Sequence, residues 1–408
     1  MRTPAFTSPF IARLLARLHP AAPRHNNSFA DAMSTIDKTT QRCTPRRPVG
    51  RFIAVLTAFL LPCVAAFVAV VGFTTTAALA CACGCSVFDV GGLATPQEQD
   101  SGGRIFLEYW SQNQTQNYVG SSKASAALNT DKDINTQWIN VGFQYMFNRD
   151  WGVMVRIPTT NRDLTTTTNL AFPGSLNTFN SKDIGDIEIM GMYTGFFKDM
   201  STGLIFGVKL PTGTFTAPGI DRDTQIGSGS TDLLLGFFHR GLLSGDNAWQ
   251  YFTQAMARQP FLYQDAADPQ GFFDGNPGVV QSYHPGLQID GAAGILYNNW
   301  YHVLGFDKIT PLAQVIISHR NTDSGTGADP YNSGFDRVML SPGIEFTKVL
   351  DEANNRVAKV YFDIEVPVYY RANAAENTCM GTPTVGVNCT EGQLVAPYAI
   401  KLVASYNF

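Results

Sequence analysis

Charge is scarce in this chain: Asp, Glu, Lys and Arg make up 15% of its 408 residues, and the formal net charge is -4. With no basic run beyond the N-terminal region, that balance excludes a nucleic-acid surface, which needs clustered cations. Histidine is scarcer still, since only His239, His284, His302 and His319 follow residue 80. Long apolar runs are missing from the same region. Nothing after residue 80 approaches the ~20 residues that a membrane helix needs. No cofactor is expected.

What is present is alternation. In the closing segment Tyr398–Phe408, the residues Tyr398, Ile400, Leu402, Ala404, Tyr406 and Phe408 share one face of an extended strand, because strand side chains alternate with period two. Lys401, Ser405 and Asn407 fall on the other. A strand that is apolar outward, mixed inward and aromatic at its end suits an antiparallel barrel whose outer row meets lipid. Tyr406 and Phe408 also resemble the terminal signal that the bacterial barrel-insertion machinery reads.

About twelve such segments run from residue 104 to 408. In the second, Ile139, Val141, Phe143, Tyr145 and Phe147 share a face; in the sixth, Leu233, Leu235 and Phe237 do. In the eleventh, Phe362, Ile364, Val366, Val368 and Tyr370 oppose Asp363, Glu365 and Arg371. The fourth is expected over Asp183–Phe196, the eighth over His284–Tyr297, the ninth over His302–His319 and the twelfth over Gln393–Phe408. Connections alternate between long and short, with tight turns at Asn148–Asp150, Phe197–Ser201, Leu242–Asp246, Asn298–Tyr301 and Leu350–Asn355. Sorting of that kind is expected of a barrel with periplasmic tight turns and external long loops. Aromatics gather beside the tight turns, as in a headgroup-level girdle, with His302 next to Trp300 and Tyr301. The fold class is therefore all-β: a transmembrane antiparallel barrel in the bacterial outer membrane, in contact with its lipid.

The N-terminal part reads as export machinery. Arg46, Arg47 and Arg51 precede the apolar run Phe52–Phe73, and Ala78-Leu79-Ala80 supplies a cleavage pattern. Residues 33–80 are expected to form the signal region. Residues 1–32 read as an over-extended start, with Met33 the more sensible one. Residues 81–103 form a Cys-rich segment able to dock as a plug, and 104–408 the barrel. Cys81, Cys83 and Cys85 could bind a soft metal through thiolates, tie the segment by disulfides, or link a partner. Cys379 and Cys389, close together in the last long loop, are expected to pair in an oxidising compartment.

Three internal motifs carry a resemblance. Asp183-Ile184-Gly185-Asp186-Ile187, Gly207-Val208-Lys209-Leu210-Pro211-Thr212-Gly213 and Ile226-Gly227-Ser228-Gly229-Ser230-Thr231-Asp232 are similar to proteobacterial outer-membrane proteins named after the MetA pathway of phenol degradation. The resemblance spans roughly residues 104 to 408. It implies a barrel that helps small, often hydrophobic molecules cross the outer membrane, and no catalytic residue.

For a chain so poor in charge, the inward rows are rich in it. Arg104, Glu108, Arg156, Asp186, Glu188, Lys209, Asp232, Arg240, Arg258, Asp290, Arg337, Glu345, Asp363, Glu365, Arg371 and Lys401 are all expected to face the lumen. Two readings stay open for them: pairing across the wall, or a ladder that selects solutes. The function expected is passive passage or uptake of small molecules. The alternative is an interaction barrel serving a periplasmic redox or metal protein. An enzyme is not expected: Ser282 and His284 could share a face, but no carboxylate is placed to orient the histidine.

Overall fold

The computed structural model describes residues 101–167, 175–217, 225–245, 248–267, 280–298, 300–328, 333–374 and 392–408. The signal region, Cys81, Cys83, Cys85, Cys379 and Cys389 lie outside the described residues, as do the side chains of Trp300, Tyr301 and His302.

Twelve antiparallel strands close into a barrel. They are β1 (Gly102–Gln114), β2 (Asp131–Met146), β3 (Trp151–Thr166), β4 in two halves (Asn177–Ile184 and Ile187–Tyr193), β5 (Thr202–Leu210) and β6 (Ser230–Leu242). There follow β7 (Trp249–Tyr263), β8 (Gln288–Tyr297, continued by Trp300–Val303), β9 (Phe306–Arg320), β10 (Phe335–Asp351), β11 (Arg356–Ala372) and β12 (Ala399–Asn407). Each pairs with its sequence neighbours, and β12 returns to β1 in register from Arg104↔Asn407 to Gln112↔Ala399. That last pairing closes the sheet and leaves no open seam between β1 and β12.

The two-residue alternation sets the two surfaces. Along β1, Arg104, Phe106, Glu108 and Trp110 are buried, while Ile105 and Leu107 stay about half exposed on the outside. Outward Ile139, Val141, Phe143, Leu233, Leu235, Phe237, Phe362, Ile364, Leu402 and Tyr406 continue the exposed apolar band around the barrel. An apolar belt of that extent is stable against lipid, not water.

Four details depart from the sequence reading. First, β4 begins at Asn177, six residues before Asp183, and breaks at Gly185-Asp186. Its upper half pairs only with β3; its lower half pairs with β3 and β5. The upper half is polar, so no apolar row announces it.

Second, the tight turn expected at Asn298–Tyr301 lies at Leu304-Gly305. Val303 pairs with Phe306, and both central residues have positive φ, 56° and 83°. That is a primed hairpin turn, whose hand matches strand twist. Asn298 looks like a turn residue but is buried within the wall and donates its N–H to Ala248 O at 2.7 Å. Leu304 is 84% exposed, so it contributes strain and little packing. Leu304→Asn is expected to stabilise the barrel by about 1 kcal/mol, since a branched residue in the left-handed region costs that much. A lowered midpoint for heat-modifiable gel migration would contradict this.

Third, Gln393–Val395 does not belong to β12. It pairs with Gln116–Val119, which pairs with Ser122–Lys123, in a small sheet at the long-loop end. Pro397, without an N–H, separates the two segments.

Fourth, Arg371 faces outward. Opposite Val338 and Met339, β11 carries an extra residue, Tyr369 pairing with the former and Pro367 with the latter. Such a bulge reverses the facing of all that follows. Tyr370 therefore turns inward against Phe335 and Arg371 outward, 3.7 Å from Asp336. His319, bonded to Asp336 at 2.6 Å, joins them on the outer face.

Candidate functional site: the barrel lumen

Side chains from the inward rows fill the lumen in layers. Toward the short turns the filling is apolar and sulfur-rich. Met146, Met154, Met190, Met192, Met200 and Met256, each 4% exposed or less, pack with Phe106, Ile205, Leu234 and Phe238. Met190 and Met192 are neighbours on one face of β4, and Met146 and Met154 flank the β2–β3 turn, so the alternation itself collects them. Methionine is unbranched and adapts its shape, which makes this layer deformable as well as water-excluding.

Above it runs a chain of ion pairs. Lys401 lies 3.7 Å from Glu108, Glu108 3.1 Å from Arg156, and Arg156 3.3 Å from Glu188. Glu188 is 3.5 Å from Arg258, and Arg258 2.8 Å from Asp290. The chain links β12, β1, β3, β4, β7 and β8, and none of its side chains is more than 11% exposed. Buried pairs such as these hold only if every member keeps its partner.

Asp186, at the break in β4, gathers the three motifs of the sequence reading. Its carboxylate accepts the Gly213 N–H (3.0 Å), the Ser228 N–H (2.9 Å) and the Ser228 hydroxyl (2.6 Å). Lys209 sits 3.2 Å from Asp186 and 2.7 Å from Asp232. Thr212 completes the joint, donating its hydroxyl to Gly185 O and accepting the Ile187 N–H. A Cβ on Gly227 would lie 2.1 Å from Gly213 O, so only glycine permits this approach. The motifs thus clamp the ends of the 211–228 connection onto the interrupted strand.

The remaining charged positions are dispersed. Arg104 Nε donates to Asn407 Oδ1 at 3.0 Å beside the closing seam. Glu345 pairs with Lys359 at 3.0 Å, Arg240 faces inward near the short turns of β6, and Arg337 lies over Phe335, 5.2 Å from the ring centre. Asp363 and Glu365 are fully buried. Asp363 Oδ2 accepts from Ser341 and Tyr361, both at 2.7 Å, and Glu365 Oε2 accepts the Trp110 indole N–H at 3.1 Å. Glu365 also lines a smaller cavity, of about 30 Å³, with Arg337. Ser282 Oγ accepts the Thr326 N–H at 3.1 Å, and the His284 ring lies tilted by 36° against Tyr263, 4.1 Å centre to centre.

In the long-loop half lies a cavity of about 180 Å³. Arg156, Glu188 and Arg258 from the ion-pair chain line it, together with Asp186, Lys209 and Asp232. So do Trp138, Arg162, Tyr283 and Arg320, which the sequence reading did not single out. Arg162 donates to Thr136 Oγ1 and to Gln225 O, both at 3.1 Å, and lies over Trp138, 5.8 Å from the ring centre. The Gln225 contact draws the 225–228 segment into the lumen. Trp138 and Arg162 share the inward rows of β2 and β3 with residues already noted, so facing alone could have found them.

No family model and no curated protein matches the chain. Solved structures do. An outer membrane channel from Pseudomonas putida aligns over 78% of this chain and 100% of its own, at 9% identity and a TM-score of 0.50. The two share the barrel fold. The beta domain of the Bordetella autotransporter BrkA covers 75% of this chain and 100% of its own, at 12% identity and a TM-score of 0.40. A Pseudomonas aeruginosa FadL homologue covers 76% and 90%, at 10% identity and a TM-score of 0.36. At these identities the likeness of the outer-membrane barrel is one of fold.

Proposed function

We propose that this outer-membrane barrel gives small, predominantly apolar or aromatic molecules passive passage across the outer membrane. The observation that carries this is the methionine layer. A water-filled porin keeps a polar bore, whereas here the six buried methionines close the short-turn half of the lumen to water. A compact apolar solute can displace flexible thioether chains and exchange one set of dispersion contacts for another; a hydrated ion must shed its shell. The motif resemblance to the MetA-pathway proteins supports the same reading. Insertion machinery and outer-membrane lipid are the partners it requires.

Purified barrel in planar bilayers and in liposomes provides the test. Ionic conductance is expected to be small, and entry of an apolar fluorescent probe into dye-trapping liposomes to exceed that of protein-free vesicles. A large steady conductance without probe entry would replace this reading by that of a hydrophilic pore. Absence of both would favour the interaction barrel.

A further inference from the structure

We propose that the 180 Å³ cavity is a binding site for a small organic monoanion, a carboxylate carried on an apolar body about one ring in size. The proposal rests on the passage reading and names the solute class.

Size comes first. An apolar cavity of about 150 Å³ accepts a benzene molecule, so this one has room for a single ring with one polar substituent. Part of its surface is apolar and stiff: Trp138, Ile226 and the three prolines Pro158, Pro260 and Pro285. Proline rings lose no side-chain entropy on contact, and the Trp138 indole, already buried, offers a flat apolar face.

Charge comes second. Five cations, Arg156, Arg162, Lys209, Arg258 and Arg320, line the cavity, against the three carboxylates Asp186, Glu188 and Asp232. The carboxylates that complete the pairing sit behind the surface. Glu108 backs Arg156, Asp290 backs Arg258, and Asp323 backs Arg320 at 2.8 Å, and each of the three is at most 1% exposed. The cavity therefore faces the positive ends of oriented ion pairs whose negative ends are buried in the wall. The carboxylates that do reach it are occupied by donors: Asp186 by Gly213, Ser228 and Lys209, Asp232 by Lys209 and the Ser230 hydroxyl, and Glu188 by Arg156 and Arg258. A guanidinium carries five N–H groups in a fixed fork suited to a carboxylate. Arg162, steadied over Trp138 beside the apolar wall, is placed to meet the head of a ligand whose ring lies against the prolines.

Calorimetric titration of the detergent-solubilised full-length barrel with benzoate, benzyl alcohol and benzylammonium tests this, with the liposome probe assay run in parallel. Benzoate is expected to bind saturably and about tenfold tighter than the neutral alcohol, the gain from one charge-assisted hydrogen bond. Benzylammonium is expected to bind weakest. Arg162→Gln, checked for heat-modifiable migration, is expected to remove the advantage of benzoate over the alcohol, and Arg162→Lys to keep most of it. The wild-type ranking stands as a test even if Arg162→Gln does not fold. Equal binding of benzoate and benzyl alcohol, or preference for benzylammonium, overturns the proposal. With apolar probe entry intact, such a result leaves the passage reading standing. With probe entry absent as well, both fall.

Discussion

Glu188→Gln is expected to lower the stability of the barrel by roughly 3–5 kcal/mol, the usual effect of removing one partner from a buried ion pair. Glu188 sits between Arg156 and Arg258, and both guanidinium groups are about a tenth exposed or less. Losing its charge leaves two cations sharing what remains, Glu108 and Asp290. Glu345→Gln is the control, because its partner Lys359 is 30% exposed and such pairs contribute about 1 kcal/mol or less. Denaturant unfolding in detergent, read by tryptophan fluorescence, compares the two. The pair Glu188→Gln with Arg258→Gln should recover part of the loss. Equal small effects at residues 188 and 345 would show that the ion-pair chain is not what holds these strands.

Deleting Phe408 is expected to weaken closure of the barrel and to reduce its insertion. Its backbone supplies both ends of the last rung, Gly103 N–H to Phe408 O at 2.8 Å and Phe408 N–H to Gly103 O at 2.9 Å. Its ring lies over Gly103, where a Cβ would come within 2.4 Å of it, and stacks on Tyr406 at 6.1 Å. Two hydrogen bonds and a partly covered ring together contribute about 3 kcal/mol. Refolding into detergent and insertion in cells separate two causes. Loss in both points to the missing rung, and loss only in cells points to a terminal signal read by the insertion machinery. Normal closure in both settings would remove Phe408 from either role.

The strand faces were readable because lipid imposes a strict period of two: Ile139, Val141 and Phe143, or Leu233, Leu235 and Phe237, leave little choice of facing. Arg371 was misplaced because one added residue in β11 shifts that period without any mark in composition. The upper half of β4 escaped notice for the opposite reason, since Asn177, Thr178, Asn180, Ser181 and Lys182 present no apolar row. The expected turn at Asn298–Tyr301 opens on two asparagines, residues that favour turns, whereas the observed one places Leu304 at positive φ against its preference. Of the site, Arg156, Asp186, Glu188, Lys209, Asp232 and Arg258 were legible through the rarity of charge, whereas Arg162 and Arg320, equally charged, were passed over. Trp110, Trp138 and the methionines were not legible, because an apolar residue on an inward row looks like noise until the lumen proves to be packed.

The two halves of β4 differ in what it takes to part them from the wall. Ile187–Tyr193 is held by ladders on both flanks, so freeing it breaks two rows of hydrogen bonds at once. Asn177–Ile184 is held by one strand ladder, to β3. Local opening free energies follow such counts, so the wall above Gly185 opens at a lower energetic cost than the part of the same strand below it. The Asp186 joint stands at the boundary between the two regimes and stops an opening above it from unzipping the strand below.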